Sequence, residues 1–265
     1  MQILFIGDIV GEPGRRVTRR VLKKLKRSTL PDLVIANGEN AAGGAGLTPE
    51  IARELLAAGV DVITGGNHTW DKREILPLLD EADNILRPAN YPENTPGSGV
   101  CLTTARTGDV VAVVNLMGRV FMAPIEDPFR TADRILDEIG DAAGTIIVDI
   151  HGEATSEKIA MARYLDGRVT AVLGTHTHVP TADARILPGG TGAVTDVGMT
   201  GPIDSIIGVE SDLVVTRFLT QRPVRFKPAA GPARLCGILI ATEGNAGRTA
   251  SIQRYEYDEE STGQA

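Results

Sequence analysis

The four histidines of this 265-residue chain, His68, His151, His176 and His178, all fall in short polar segments that close apolar runs. Carboxylates and amides share those segments. Asp8 follows the run 3–6, Glu39 and Asn40 follow 33–36, and Asn67 follows 62–64 beside His68. His151 follows 145–149, and His176 and His178, in Gly174-Thr175-His176-Thr177-His178, follow 169–173. A lone histidine is ordinarily a satisfied structural residue, but four in equivalent places imply shared chemistry. Imidazole, carboxylate and amide oxygen together suit a borderline cation such as manganese, iron or zinc. Asp8, Glu39, Asn40, Asn67, His151, His176 and His178 make seven candidate ligands, too many for one tetrahedral ion. Two divalent transition metal ions sharing a bridging carboxylate would use them well. The segment around His176 and His178 reads as extended, so these two side chains are expected on one face.

A metal pair about 3.5–4 Å apart suits in-line displacement at phosphorus, because it makes a hydroxide available at neutral pH and neutralises phosphate oxygens. The leaving alkoxide then needs a proton. His68, adjoining Asn67, is expected to face the substrate and to act as the general acid. The reading is a phosphodiesterase acting on a small phosphodiester or cyclic nucleotide. Its rivals are a phosphomonoesterase using the same metals, a regulatory nucleotide-binding protein with little turnover, and a structural metal protein. The general acid favours an enzyme, since a sensor has no leaving group to protonate.

The elements that must position these residues alternate as short apolar runs and amphipathic stretches. Strands are expected over 3–6, 33–36, 62–64, 98–102, 110–116, 145–149 and 169–173, with helices over 15–27, 49–58, 73–79, 131–138 and 156–164. Thr48 is the expected N-cap of the 49–58 helix. The segments 98–102 and 110–116 are expected to pair antiparallel about the turn at Gly108. The texture then changes: 184–186 and 192–195 flank a hairpin turn, and 214–219, 235–241 and 251–257 read as antiparallel strands. Residues 258–265 are polar and expected to fray. The expectation is one domain over 1–265, an α/β layered sandwich with mixed β-sheets, presenting its polar strand ends at one edge. Glycines at 7, 38, 65, 66 and 174 are expected to serve unusual backbone angles or close approaches there.

A net charge of −7 argues against an extended nucleic-acid surface, since no basic surplus is present to displace counterions. It leaves room for a small phosphorylated substrate, because bound cations reverse the local charge. The basic run 15–27 is expected to be one exposed helix face. Gly11-Glu12-Pro13-Gly14-Arg15 reads as a helix-start turn, without the Gly-Lys-Ser/Thr ending of a P-loop. Cys101 and Cys236 are too few and too far apart for a disulfide framework and are expected to be buried thiols. No segment reaches the ~20 apolar residues of a membrane span, and a cytoplasmic enzyme is expected. A symmetric homo-oligomer is a default expectation only. Arg119 is a surface arginine with phosphate binding as its alternative, Glu153 and Lys158 could support His151, and Tyr91 and Phe121 are candidates for stacking a base.

At these residues the chain resembles the calcineurin-like metallophosphoesterases, keeping Gly65-Gly66-Asn67-His68, a separate His151 and the His-x-His of His176 and His178. It departs from that pattern at Ile9 and Val10, where no strand-one histidine follows Asp8, at Glu39 in place of Asp, and at Thr69, which leaves Asp71 as the nearest acid to orient His68. Those departures resemble the YmdB-like phosphodiesterases, with Gly7-Asp8-Ile9-Val10-Gly11, Asn37-Gly38-Glu39-Asn40, Gly66-Asn67-His68-Thr69-Trp70-Asp71 and Asp149-Ile150-His151-Gly152-Glu153-Ala154. The likeness runs on through Gly174-Thr175-His176-Thr177-His178-Val179-Pro180 and Thr195-Asp196-Val197-Gly198-Met199-Thr200-Gly201. The resemblance implies that Asp8, Glu39, Asn40 and His178 hold one metal and Glu39, Asn67, His151 and His176 the other. It also implies hydrolysis of phosphodiesters, 2′,3′-cyclic nucleotides among them, in bacterial regulation.

Overall fold

The computed structural model describes residues 1–26, 30–243 and 247–259. Strand β1 (Gln2–Ile6) shows the organising pattern: Ile3 and Phe5 point one way and Leu4 and Ile6 the other, and all four are buried. Alternation with apolar residues on both faces requires a sheet covered on both sides. Helices α1 (Gly11–Leu25) and α2 (Pro49–Ala58) cover one face of β1, β2 (Leu33–Asn37) and β3 (Val62–Thr64), with α3 (Leu76–Glu81) beside them. The other face meets a second sheet. Ile3, Phe5, Leu33, Ile35 and Val62 pack there against Val111, Val113, Ile147, Ala171 and Leu173.

The second sheet runs β4 (Val100–Thr104), β5 (Val110–Met117), β6 (Thr145–His151), β7 (Ala171–Thr175), β9 (Gly192–Val194) and β8 (Arg185–Ile186). Its outer face is covered by α4 (Pro128–Ile139) and α5 (Thr155–Tyr164). In the first sheet β1, β2 and β3 are parallel, while β11 (Ala233–Glu243) pairs antiparallel with β1, β10 (Gly201–Pro202) and β12 (Arg248–Asp258). In the second, β5, β6, β7 and β9 are parallel, and β4 and β8 are antiparallel additions. Helix, mixed sheet, mixed sheet, helix is the layered α/β sandwich that the alternation predicts. α6 (Ser211–Thr220) lies between β10 and β11.

Thr48 caps α2, accepting the Ile51 N–H at 3.3 Å, and Cys101 and Cys236 are buried free thiols. Four expectations need correction. Residues 214–219 form α6 rather than a strand: Val214 faces inward, and Phe218 lies one helical turn further along. The β-branched residues suggest a strand, but tertiary context overrides that weak preference. α1 begins four residues before Arg15, because Pro13 falls in the first turn, where a missing N–H goes unfelt. Arg27, at the far end of that expected helix, lies outside the described residues, as do residues 260–265 of the expected frayed end. His151 ends β6 rather than following it. The backbone at His176 and His178 is not extended but left-handed, with φ of 96° and 65°. Among the described residues no helix is long and apolar enough to cross a membrane.

Candidate metal centre

The carboxyl ends of β1, β2 and β3 in one sheet, and of β6 and β7 in the other, deliver their polar residues to a common point. His151 is wholly buried there, and its Nε2 lies 2.9 Å from Asn67 Oδ1, 3.1 Å from His176 Nδ1 and 3.2 Å from Glu39 Oε1. Beside this group Asp8 Oδ1 lies 3.8 Å from His178 Nε2, which in turn is 3.3 Å from the Asn40 amide nitrogen. The Asn40 amide also donates to Glu39 Oε1 at 2.8 Å, so Glu39 touches both groups. All seven candidate ligands are thus brought together.

The hydrogen bonds around the rings decide which nitrogens face inward. Thr175 Oγ1 donates to Asp149 Oδ1 at 2.7 Å and must therefore accept from His151 Nδ1 at 2.9 Å, leaving His151 Nε2 toward the cluster. His176 Nε2 meets Glu153 Oε2 at 3.0 Å, and His178 Nδ1 meets the Ile207 carbonyl at 2.9 Å. Both partners only accept, so each ring spends its N–H outward and turns the other nitrogen inward. Outward N–H anchors of this kind orient metal-ligating histidines and raise their basicity. Inside, His151 Nε2 confronts three acceptors, more than one proton can satisfy. Its 2.9–3.2 Å separations are close to the roughly 3.3 Å edges of a tetrahedron around an ion with bonds of about 2.0 Å. The donor set fits a cation.

Burial and charge set the electrostatics of this cluster. Burial pushes the Asp8 carboxyl up, with His178 and His151 opposing. Burial would raise Glu39 too, but His151 and the His68 N–H, which donates to Glu39 Oε2 at 3.1 Å, hold it down at about 2. Burial would lower His151, yet the Glu39, Asp8 and Asp149 carboxylates push it up to about 9. His176 is pushed down to about 3 by burial and by the neighbouring His151.

A scaffold that sequence reasoning touched only at Lys158 holds these residues. Asp149, on β6, accepts from Thr64 Oγ1 at 2.5 Å and Asn37 Nδ2 at 3.1 Å, tying the two sheets together below the cluster. Asp196 accepts the Thr177 N–H at 3.1 Å and the buried Lys158 ammonium at 2.9 Å, fixing the left-handed turn between His176 and His178. Both acids were visible only as members of motifs. Gly66 needs close approach rather than a special angle, since a Cβ there would collide with Glu39 and His151.

His68 sits beside the cluster, half-exposed, with Nδ1 2.8 Å from Asp71 Oδ2, which leaves Nε2 as its uncommitted nitrogen. It lines a cleft of about 740 Å³ together with Glu39, Asn40, His176 and His178. Glu153 and the unanticipated Phe218 and Phe226 line it too, whereas Tyr91, Phe121 and Arg119 do not. Tyr91 packs edge-on against Trp70 at 5.2 Å, Phe121 is 90% exposed, and Arg119 pairs with Asp127 at 2.5 Å.

Two facing mixed sheets with such a cluster at their strand ends suit a phosphoric ester hydrolase, the class to which the relatives of this chain belong. Residues 4–255 match the model of the family described as YmdB-like protein. The chain belongs to that family. A 2′,3′-cyclic-nucleotide 2′-phosphodiesterase of Bacillus subtilis (strain 168) is 50% identical over 254 residues, covering 96% of each protein. The crystal structure of a hypothetical protein from Thermus thermophilus matches with a TM-score of 0.92 at 49% identity, covering 98% of this chain and 100% of that one. That of a novel phosphatase from Mycoplasma pneumoniae matches with a TM-score of 0.92 at 32% identity, covering 99% and 95%.

Proposed function

We propose that residues 1–265 form one catalytic domain, a cytoplasmic bacterial phosphodiesterase that opens small phosphodiesters, 2′,3′-cyclic nucleotides among them. Asp8, Glu39, Asn40 and His178 would hold one divalent ion, and Glu39, Asn67, His151 and His176 a second, with iron or manganese suited to this mixed donor set. The observation that carries the reading is the convergence of three ring nitrogens, each ring anchored from outside, on the buried Glu39 and Asp8 carboxylates. When bound, the metal pair supplies Lewis acidity, activating water and neutralising the phosphate oxygens.

The chain's own residues supply the rest. Asp71 holds the His68 N–H at Nδ1, so the proton that His68 can give sits at Nε2. Donation from there to the leaving oxygen is general acid catalysis. The cleft of about 740 Å³ beside it has room for an organic substituent on the phosphorus.

The test is hydrolysis of 2′,3′-cyclic AMP by metal-loaded protein, with the products separated by chromatography. Cleavage of the P–O2′ bond, leaving 3′-AMP, is the expected result. Intact cyclic nucleotide alongside cleavage of p-nitrophenyl phosphate would transfer the reading to a phosphomonoesterase. Tight binding without product would make the protein a sensor.

A further inference from the structure

The cleft is walled on one side by an excursion of the chain between Glu210 and Lys227, whose two ends meet where the Glu210 N–H donates to the Lys227 carbonyl at 3.0 Å. Its outer part, residues 217–227, reads Arg-Phe-Leu-Thr-Gln-Arg-Pro-Val-Arg-Phe-Lys, with four cations and no acid in a chain of net charge −7. Arg217, Arg222, Arg225 and Lys227 are exposed and make no side-chain hydrogen bond or ion pair among the described residues. The basic run on α1 is different in kind: Arg15 and Arg19 pair with Glu54, and Arg16 and Arg20 with Glu259. Between the free cations stand Phe218, 72% exposed, and Phe226, 49% exposed. Both rings, with Arg217 and Lys227, line the same cavity as His68 and His178. The wall is also joined to the metal centre through its root, where the Ile207 carbonyl anchors His178.

Unpaired cations alternating with exposed aromatic rings make a stacking platform along a charged track, the arrangement that binds single-stranded nucleic acid without reading its sequence. A cyclic mononucleotide offers one phosphate and one base, and would leave most of the cations and one of the rings unengaged. The cavity of about 740 Å³ lies in the upper part of the roughly 300–1,000 Å³ range of small-ligand sites and is open to the wall. A duplex would hide its base faces from the rings.

We propose that this wall binds a single-stranded oligonucleotide, stacking bases on Phe218 and Phe226 and holding phosphates with Arg217, Arg222, Arg225 and Lys227, so that one phosphodiester is delivered to the metal centre. This deepens the phosphodiesterase reading and rests on it for the chemistry. The reaction there is hydrolysis: water oxygen bonds to phosphorus, the P–O bond to the leaving nucleoside breaks, and the leaving oxygen takes the proton.

The test is fluorescence anisotropy of a labelled 12-nucleotide single-stranded RNA on metal-loaded His68→Ala protein, with 2′,3′-cyclic AMP as competitor, between 50 and 200 mM salt. The 12-mer should bind at least about tenfold tighter than the cyclic nucleotide and weaken with salt. Adding Arg222→Ala and Arg225→Ala should flatten the log–log salt slope by about 1.4, at roughly 0.7 per phosphate contact on a single strand. Adding Phe218→Ala and Phe226→Ala instead should weaken the 12-mer about tenfold or more through lost stacking. An RNA that binds no tighter than the cyclic nucleotide, or equally to all variants, would overturn the proposal. So would a phenylalanine variant that changes sedimentation mass while RNA binding persists, since the wall would then cover a second copy of the chain. Wild-type hydrolysis of 2′,3′-cyclic AMP without RNA binding defeats the wall alone. RNA binding without hydrolysis of any diester supports the wall and defeats the phosphodiesterase reading.

Discussion

His68 differs from the other three histidines in what it touches: its Nδ1 meets Asp71 at 2.8 Å, and its Nε2 is uncommitted beside the cleft. His68→Ala should therefore leave bound metal unchanged while slowing turnover by roughly 100- to 10,000-fold, the usual span for a general acid. The loss should be larger for alkyl leaving groups than for p-nitrophenolate, which needs little protonation; equal losses would count against the role. Thr175 makes a second residue-scale case. Its side chain reaches the cluster through His151, at 2.9 Å, so Thr175→Val should lower metal affinity about 10–100-fold without removing a ligand atom. Titration with a fluorescent metal indicator would read this, and unchanged affinity would sever the link. The candidate ligands were legible because metal chemistry demands particular side chains just after apolar runs. Thr175 and Asp149 were harder to single out, since a threonine and an acid within buried strands carry no such signature until their partners come into view.

At the scale of elements, the left-handed turn from His176 to His178 depends on Asp196, which lies beyond β9 and binds both Thr177 and Lys158 of α5. Lys158 is 2% exposed, so Asp196→Ala would leave its ammonium buried without its acid. Removing one partner of a buried pair costs about 3–5 kcal/mol. Denaturant unfolding should show a midpoint well below that of the wild type, and an unshifted midpoint would contradict this account of the turn. The parallel strands were readable because burial on both faces writes continuous apolar runs. α6 was not, because its Leu-Val-Val-Thr-Arg-Phe run satisfies a strand pattern and a helix pattern equally. Only the lack of a strand partner decides between them. The turn at His176 could not be read from sequence either, since positive φ at histidine is a strain of about 1–3 kcal/mol that tertiary contacts impose.

At the scale of the whole molecule, charge is distributed in ways that its sum hides. The total of −7 includes buried acids at the metal centre and, far from them in sequence, the acid-free stretch 217–227. The buried acids make metal binding depend on pH. With its pKa raised to about 9, His151 carries a proton at neutral pH in the metal-free chain, and a cation must displace it. Apparent metal affinity should consequently rise with pH, by up to about tenfold per unit below 9 for one proton released. Calorimetry in buffers of different ionisation enthalpy would report that proton, and an affinity flat in pH would contradict its location.

The proposed two-metal centre is what would make this chain a phosphodiesterase. Its most direct test is elemental analysis of purified protein, paired with cleavage of bis-p-nitrophenyl phosphate before and after chelation. The account predicts about two transition metal ions per chain, in keeping with a shared bridging carboxylate, and diester cleavage that disappears with chelator and returns with manganese or iron. A single ion or none, with no cleavage after either metal is supplied, would contradict it.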